Sequence, residues 1–573
     1  MLFEDVVKVF DKVEEKSGRI EMTNILAELF NKATSAEIEK IVYFVQGIVA
    51  PPYEGVELGM GERFAIAAIA SATGYSAQEV DENYKKTGDL GITAENFLKK
   101  KKQRSLFANP IDVIHLHESL VRIAKASGPG STELKKKYLV ELLNNATPLE
   151  ARYIVRFVLG RLRLGVGDPT ILDALSVAKF GDKSWREKLE RAYNVCADMG
   201  YVAKLFYENE KNIDKFKVQP FKPLMPALAE RLSTAEEIIE KIGVCAVEGK
   251  YDGFRLQVHK KGNEVELYSR RLDKMTKMFP EIVDAVKRLP VDSIIFEGEA
   301  LAYNAKERKY YSFQQTMQRK RKHRISEKAE ELPLNLFCFD ILYVNEKDYT
   351  QEPYKVRRKK LEEVFRENEV LKASEQHIVK TAKELQKLFK EAIERGLEGV
   401  MAKDLEAPYT AGKRKFAWIK LKKSYGQAVD TIDGVIVGYY LGKGSRAQFE
   451  FGGLLVAVYN SDNGRLETVA KIGSGFSEEE MVMLKEMLDK IKRTAPPANV
   501  SYKIEPDFWV EPKYVIEVAF DDITLSPVHT CGLRGDKGYA LRFPRMIRLR
   551  EDKGINEATT TDEVKEMYEK QKK

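Results

Sequence analysis

The sequence predicts a chain in three parts: all-helical first, mixed α and β second, and a small β-barrel last. Up to about Val218, apolar residues recur at spacings of three and four, the period of helices with one buried face, and strand-like alternation is scarce. At Val218-Gln219-Pro220-Phe221-Lys222-Pro223 two prolines stop the preceding helices, and beyond them strand-like runs alternate with helical ones. From about Lys423 short strand-like runs dominate, separated by glycine-bearing turns. A length of 573 residues, against roughly 100–200 for one domain, provides for about three cores. The expected domains are 1–217, 218–422 and 423–573.

The helical part shows its period at residues 38–48 and 138–143. Three loops interrupt it: Pro51-Pro52-Tyr53-Glu54-Gly55, Lys86-Thr87-Gly88-Asp89-Leu90-Gly91 and Arg161-Leu162-Arg163-Leu164-Gly165-Val166-Gly167. Glycine lets backbone N–H groups approach a partner closely, and phosphates favour such groups at helix N-termini. With Arg161 and Arg163 the third loop is a candidate grip on a phosphate backbone; helix caps with solvated arginines would look the same. Lys99-Lys100-Lys101-Lys102 reads as a solvated basic run, but it leads into Gln103, Leu106 and Phe107, a polar residue followed by an apolar pair.

In the second part, 254–258, 265–268, 293–296, 334–339, 399–402 and 417–421 read as strands and 357–365 and 382–394 as helices, with a hairpin turn at 260–263. In the third, 434–440, 453–459, 467–472 and 514–520 read as strands around one helix at 477–491. Five or so strands with one helix suit a barrel of the oligonucleotide-binding type. A polar tail follows Asp552 and ends in a short helix at 561–569.

Composition narrows the classes. Charged residues make up 32% of the chain, yet the net charge is only +7, which permits nucleic-acid binding without requiring it. Cys196, Cys245, Cys338 and Cys531 lie far apart, so neither a zinc ribbon nor a disulfide framework is indicated. The first ten residues mix acids with apolar residues, unlike a signal peptide, and no apolar run approaches the roughly 20 residues of a membrane span. A cytoplasmic protein without membrane contact is the expectation.

Chemistry concentrates at Glu248-Gly249-Lys250-Tyr251-Asp252-Gly253-Phe254-Arg255, between two apolar-rich segments. A lysine is a nucleophile only when its amine is neutral, which takes desolvation or neighbouring positive charge. Alone, this string reads equally as a polar turn. Downstream come Ser269-Arg270-Arg271, then Glu297 and Glu299 at the spacing of one strand face, and Phe337-Cys338-Phe339-Asp340. Glu398-Gly399 follows, then Lys413-Arg414-Lys415 and Trp418-Ile419-Lys420-Leu421-Lys422, where Lys420 and Lys422 share a face. Each is ordinary alone; their order changes the weighting.

The order K-Y-D-G-F-R, S-R-R, E-G-E, F-C-F-D, L-E-G-V-M-A-K, W-I-K-L-K and Arg550-Glu551-Asp552-Lys553 resembles the nucleotidyltransferase motifs of ATP-dependent DNA ligases of the archaeal and eukaryotic replicative type. The resemblance spans nearly the whole chain, since the N-terminal loops, Gly442-Lys443-Gly444-Ser445-Arg446 and Lys471-Ile472-Gly473-Ser474-Gly475-Phe476 also match. RNA ligases and mRNA-capping guanylyltransferases share the K-x-D-G lysine, but normally lack a large helical domain with these loops. The missing cysteine cluster disfavours an NAD-dependent ligase, and a non-enzymatic DNA-binding scaffold has no need for Lys250, Lys420 and Lys422 together.

The resemblance implies a helical DNA-binding domain, a mixed α/β adenylation domain and a C-terminal OB-fold domain. It implies nick sealing during replication, repair and recombination, including the replication that serves cell division, with ATP and Mg²⁺, or Mn²⁺ in its place. Lys250 would take AMP from ATP, pass it to the 5′-phosphate of a nick, and the 3′-hydroxyl would then close the strand. Glu248, Arg255, Arg270, Glu299, Phe339, Arg414, Lys420 and Lys422 would form the nucleotide pocket, although Gly249 leaves the direction of the Glu248 side chain open. Glu299 and Glu398, with Glu297 beside them, are hard oxygen donors suited to Mg²⁺. Arg550, Asp552 and Lys553 would orient pyrophosphate, and a hinge is expected at 422–424. Arg161, Arg163, Arg319 and Lys320 would hold duplex phosphates without reading sequence. Gln103, Leu106 and Phe107 resemble a shortened peptide that docks on a sliding clamp. A monomer acting on nicked duplex DNA at the nucleoid completes the expectation.

Overall fold

The computed structural model describes residues 1–16, 18–87, 89–101, 109–160, 162, 164–232, 234–304, 309–311, 334–365, 368–422, 431–442, 446, 449–493, 495–551 and 553–571. It divides into two units, Met1–Lys423 and Ser424–Lys573.

The first unit begins with twelve α-helices among the described residues, from Phe3–Glu14 to Met199–Glu208. Local signals start several of them: Thr34 with Glu37, and Thr147 with Glu150, form reciprocal capping boxes that satisfy the first-turn N–H groups. One apolar core, including Phe10, Phe44, Tyr153 and Phe157, runs through the helices.

Two of the three glycine loops serve packing. In the second, Asp89 caps the Leu90–Lys99 helix through the Gly91 N–H at 2.7 Å and accepts two bonds from the buried Arg156 guanidinium, which also grips both oxygens of Glu14. A Cβ at Gly91 would lie 2.5 Å from the Arg152 carbonyl oxygen, so glycine there permits helix contact rather than phosphate approach. In the first, the Tyr53 hydroxyl donates to Asp198 at 3.2 Å and accepts from Lys222 at 3.0 Å, and its ring meets Tyr268 edge-on. That loop joins the helices to the mixed region. In the third, Leu162 and Leu164 are buried, while Arg161 and Arg163 lie outside the described residues.

The mixed region holds two sheets. One runs Leu228–Arg231, Arg414–Lys422, Gly399–Asp404, Cys245–Lys250, Gln376–Val379. The other has seven strands, with Glu264–Ser269, Phe254–Lys261, Ser293–Asn304 and Leu334–Val344 adjacent in that order. The chain crosses between the sheets at Tyr251-Asp252-Gly253, immediately after Lys250, and a Cβ at Gly253 would lie 2.4 Å from the Ala300 carbonyl oxygen. The hairpin turn and both expected helices are present. The pattern did not reveal the Ala235–Ile242 and Pro280–Lys287 helices, eight residues each and barely two turns.

Residues 221–227, which carry the chain into this region, are bracketed by alternate side chains of the Phe254–Lys261 strand. The Phe221 N–H donates to His259 Nδ1 at 3.0 Å, Leu224 exchanges bonds with the Gln257 amide at 2.8 and 3.2 Å, and Arg255 donates to the Ala227 carbonyl at 2.8 Å. A period of two places the three brackets on one face.

The second unit is β-rich, with eleven strands among the described residues, the Glu478–Asp489 helix and a closing helix, Thr561–Gln571. The sequence pattern anticipated four of these strands. Those it missed, such as Lys492–Arg493 and Phe508–Val510, are too short to show a period. No described helix is long and apolar enough to cross a membrane.

Burial pushes the His259 imidazole down to about 3, so it is neutral in the fold, and Nδ1 must stay unprotonated to accept from Phe221. Stability from this bracket is therefore complete above the unfolded value near 6.5 and lost as pH falls below it, by roughly 2 kcal/mol at pH 5. From pH 7.5 to 5, amide exchange of residues 221–227, corrected for intrinsic rates, should accelerate about 30-fold more in the parent than in His259→Gln.

Candidate active site

Register builds the site. Across three antiparallel strands Lys250 stands opposite Gly399 and Gly399 opposite Lys422; one step along, Glu248 stands opposite Met401 and Met401 opposite Lys420. Side chains alternate, so Glu248, Lys250, Met401, Lys403, Lys420 and Lys422 share one face. Val247, Val400, Ala402, Ile419 and Leu421 fill the core on the other.

Gly399 occupies a backbone conformation with φ +155°, and a Cβ there would lie 2.1 Å from the Leu421 carbonyl oxygen. With no side chain between the two lysines, the preceding residue serves both: Lys250 Nζ meets one oxygen of Glu398, Lys422 Nζ the other. The Lys250 side chain keeps 19% of its surface exposed.

Behind the amine lies a buried network. A Cβ at Gly249 would lie 2.6 Å from Leu397 Cδ1, so a side chain at that position would have to push the end of the Leu397 side chain aside. Glu248 accepts from both Lys403 Nζ contacts at 3.0 Å, from Ser374 at 2.8 Å and from the Tyr354 hydroxyl. Lys403 also donates to the Phe339 carbonyl at 2.8 Å; burial pulls its pKa down, with Glu248 and Asp340 opposing. The Phe339 and Trp418 rings meet edge-on at 5.8 Å, and both Lys403 and Arg255 lie over their faces. These rings and cations make an aromatic wall beside Lys250's strand.

On the second sheet Arg255 stands opposite Glu299. Its guanidinium donates to Glu297 at 2.9 Å and to Ala227, while Nε is buried with no hydrogen-bond partner among the described residues. Burial alone would lower the Arg255 pKa, but Glu297 and Tyr409 carry it above the ordinary arginine value. Glu297 is fully buried and also accepts from Tyr409 at 2.8 Å and Gln257 at 3.3 Å. Its oxygens are committed inside the protein, which corrects the expectation of a third metal donor. Glu299 accepts from the Gly253 N–H at 3.1 Å; burial pushes its carboxyl up to about 7, against the pull of Lys250 and Arg255.

No group of three or more His, Cys, Asp or Glu side chains able to hold a metal ion occurs among the described residues. Of the expected donors, Glu398 is divided between Lys250 and Lys422 and Glu299 accepts from the Gly253 N–H, so each would exchange part of these contacts to serve as an oxygen donor for Mg²⁺ arriving with a nucleotide.

Arg270 is exposed in the turn after Glu264–Ser269. In the second unit Asp433 accepts from Arg550 at 2.8 Å and Lys553 at 2.6 Å. The Arg414 side chain, Asp552, Arg161, Arg163, Arg319, Lys320, Gln103, Leu106 and Phe107 lie outside the described residues. Sequence reasoning missed Lys403, Ser374, Tyr354 and Trp418 as site residues. The two-residue alternation in V-M-A-K held a signal for Lys403. None existed for Tyr354 and Ser374, which reach Glu248 from 106 and 126 residues away.

A lysine amine backed by a second lysine, facing an aromatic and cationic wall, suits a nucleotidyltransferase that works through a covalent lysine. Residues 2–176, 226–422 and 447–553 match the family models described as DNA ligase N terminus, ATP dependent DNA ligase domain and ATP dependent DNA ligase C terminal region. The chain is 49% identical over 578 residues to a probable DNA ligase of Dictyoglomus turgidum, covering all of this chain and 98% of the relative. It is 42% identical over 592 residues to a DNA ligase of Saccharolobus shibatae, with the same coverage. A solved structure titled Pmar-Lig_Pre. shares the fold at 17% identity, with a TM-score of 0.59 over 95% of this chain and 99% of that one. The chain belongs to the ATP-dependent DNA ligase family. It uses ATP to join a 3′-hydroxyl to a 5′-phosphate at a nick in duplex DNA, by way of a lysine-AMP and a DNA-adenylate.

In Gly399→Ala the new methyl group must displace the strand that carries Lys420 and Lys422. Self-adenylation should fall about 10²-fold, as expected when a reacting group moves by about 1 Å, with the far-ultraviolet circular dichroism spectrum retained. Equal rates for the two proteins would refute this reading of the row.

Proposed function

We propose that Lys250 is the lysine that carries AMP. The observation behind this is the row in which Lys250 and Lys422 share the Glu398 carboxylate across Gly399. Lys250 Nζ gives up a proton, for which Glu398 is the adjacent acceptor, and attacks the α-phosphorus of ATP. An N–P bond forms, the bond between the α-phosphorus and the bridging oxygen breaks, and pyrophosphate leaves. A 5′-phosphate oxygen of the nick next attacks the same phosphorus; the N–P bond breaks and the amine recovers a proton. The 3′-hydroxyl then attacks the 5′-phosphorus and AMP departs.

Lys420 and Lys422 neutralise charge on the phosphate oxygens, the term that governs phosphoryl transfer. Arg255, Arg270, Glu299, Phe339 and Arg414 complete the pocket. Glu248 acts from behind it, holding Lys403 against the aromatic wall. Glu299 and Glu398 hold Mg²⁺, or Mn²⁺, with phosphate and water, and the ion supplies electrostatic stabilisation of the transferring phosphate. Arg550, Asp552 and Lys553 orient pyrophosphate.

We assign residues 1–217 to DNA binding, 218–422 to adenylation and 423–573 to an OB-fold domain, with a hinge at 422–424. Arg161, Arg163, Arg319 and Lys320 contact duplex phosphates, Gln103, Leu106 and Phe107 a sliding clamp, and the enzyme works as a cytoplasmic, nucleoid-associated monomer.

With α-labelled ATP and Mg²⁺, the parent should acquire an acid-labile label, Lys250→Ala none, and Lys422→Ala a label formed about 10²–10³-fold more slowly. A label retained in Lys250→Ala would sink the assignment. Arg161→Ala with Arg163→Ala should flatten the salt dependence of nick binding by about two phosphate contacts, and Phe107→Ala should weaken clamp binding alone. An unchanged slope, or unchanged clamp affinity, would remove the corresponding contact.

A further inference from the structure

The strand that carries Lys420 and Lys422 begins against the helical region. Glu190 and Asn194 lie on the Arg186–Cys196 helix, and the loop that enters the strand Arg414–Lys422 is seated on them. The Asn194 carbonyl accepts from the Met225 N–H at 2.8 Å, and the Met225 carbonyl accepts from the Gly412 N–H at 3.2 Å. Gly412 has φ +68°, and a Cβ there would lie 2.4 Å from Asn194 Oδ1, so the loop approaches the helix as closely as a residue without a side chain allows. Lys413 pairs with Glu190 at 2.7 Å, and its carbonyl accepts from the Leu228 N–H.

The contact continues inward. Val195 packs against the apolar cluster that contains Trp418, with Phe339, Ala411 and Met401 on its border. Tyr409, at the start of the loop, is fixed by its hydroxyl between the Ala227 N–H and Glu297. From Arg414 to Lys420 the chain is one strand, roughly 20 Å at 3.3 Å per residue, whose pairing with Leu228–Arg231 shifts between Lys415 and Ile419, and a displacement of the loop at its root bears on the lysines at its far end.

We infer that Asn194 and Glu190 are positioning residues for the nucleotide: the helical region, through this one helix, sets the strand that presents Lys420 and Lys422, and therefore acts in self-adenylation, a step that involves no DNA. This rests on the assignment of Lys420 and Lys422 to the nucleotide pocket. A contact that only tethered the two regions would alter binding and sealing of nicks and leave the DNA-free step alone.

The test uses the full chain and α-labelled ATP with Mg²⁺ and no DNA, following the initial rate of labelling against ATP concentration. Gly412→Ala should raise the KM for ATP about tenfold, and adding Asn194→Ala, which removes the clash with the methyl group but not the strain of a left-handed alanine, should recover part of that loss. Affinity for a nicked duplex in the absence of metal should change less than twofold. In a second arm, Glu190→Lys and Lys413→Glu should each raise the KM and their combination restore it; this arm decides the matter if Gly412→Ala fails to fold. An unchanged KM in Gly412→Ala, no recovery in the double variant, or an equal loss of nick affinity would overturn the inference. Lys420→Ala separates the two levels. If it leaves the KM unchanged, the pocket assignment fails and the inference with it. If it raises the KM while Gly412→Ala does not, only the inference fails.

Discussion

Two ammonium groups divided between the two oxygens of Glu398 are the constraint to which the first unit is built. The pairing requires three strands in one register and a residue without a side chain at the centre of the row, which is why Gly399 tolerates no alternative. It also places Lys250 at a strand end, where the chain turns from one sheet to the other. One carboxylate thus holds two lysine amines close together, and under the proposed assignment the polyanionic substrate finds them already gathered.

Around that row the buried acids have separate tasks. Glu248, Glu297 and Asp340 are almost wholly removed from water, and each is saturated: Glu248 by Lys403, Ser374 and Tyr354, Glu297 by Arg255, Gln257 and Tyr409, Asp340 by a bidentate Arg357. A buried charge with all its lone pairs engaged fixes geometry, whereas stripping one partner leaves an uncompensated ion at a cost of about 3–5 kcal/mol. Glu398 is divided between Lys250 and Lys422, and Glu299 accepts from the Gly253 N–H with Lys250 and Arg255 pulling against its burial. What each carboxylate faces depends on which strands become neighbours, a property that E-G-E and L-E-G strings do not carry.

The sequence made the helical region, the lysine strands and the alternation of Lys420 with Lys422 legible, because period and spacing are local properties. Lys250 was legible through the order of motifs rather than through its own surroundings. Glu297 and Glu299 read identically from a spacing of two, yet one is locked to Arg255 and Tyr409 and the other faces Lys250, a difference that depends on which strands become neighbours. The glycines at 88 and 91 suggested phosphate approach, but at Gly91 the close neighbour is the Arg152 backbone, since a missing side chain serves any kind of close contact. Tyr354, Ser374 and Asn194 carried no signal, for each acts through a partner far away in the chain.

The Arg156 cluster gives the helical region a distinctive response to heat. Arg156 is 2% exposed and engages Glu14 and Asp89, while Arg152 next to it engages Asp11 and Glu95. Hydration of such ions becomes less favourable as temperature rises, so the penalty for keeping them dry shrinks just where apolar burial has stopped gaining. Unfolding also exposes this polar surface, which lowers the heat-capacity increment that apolar exposure raises. These pairs are therefore held at a smaller desolvation cost at high temperature than at ambient temperature.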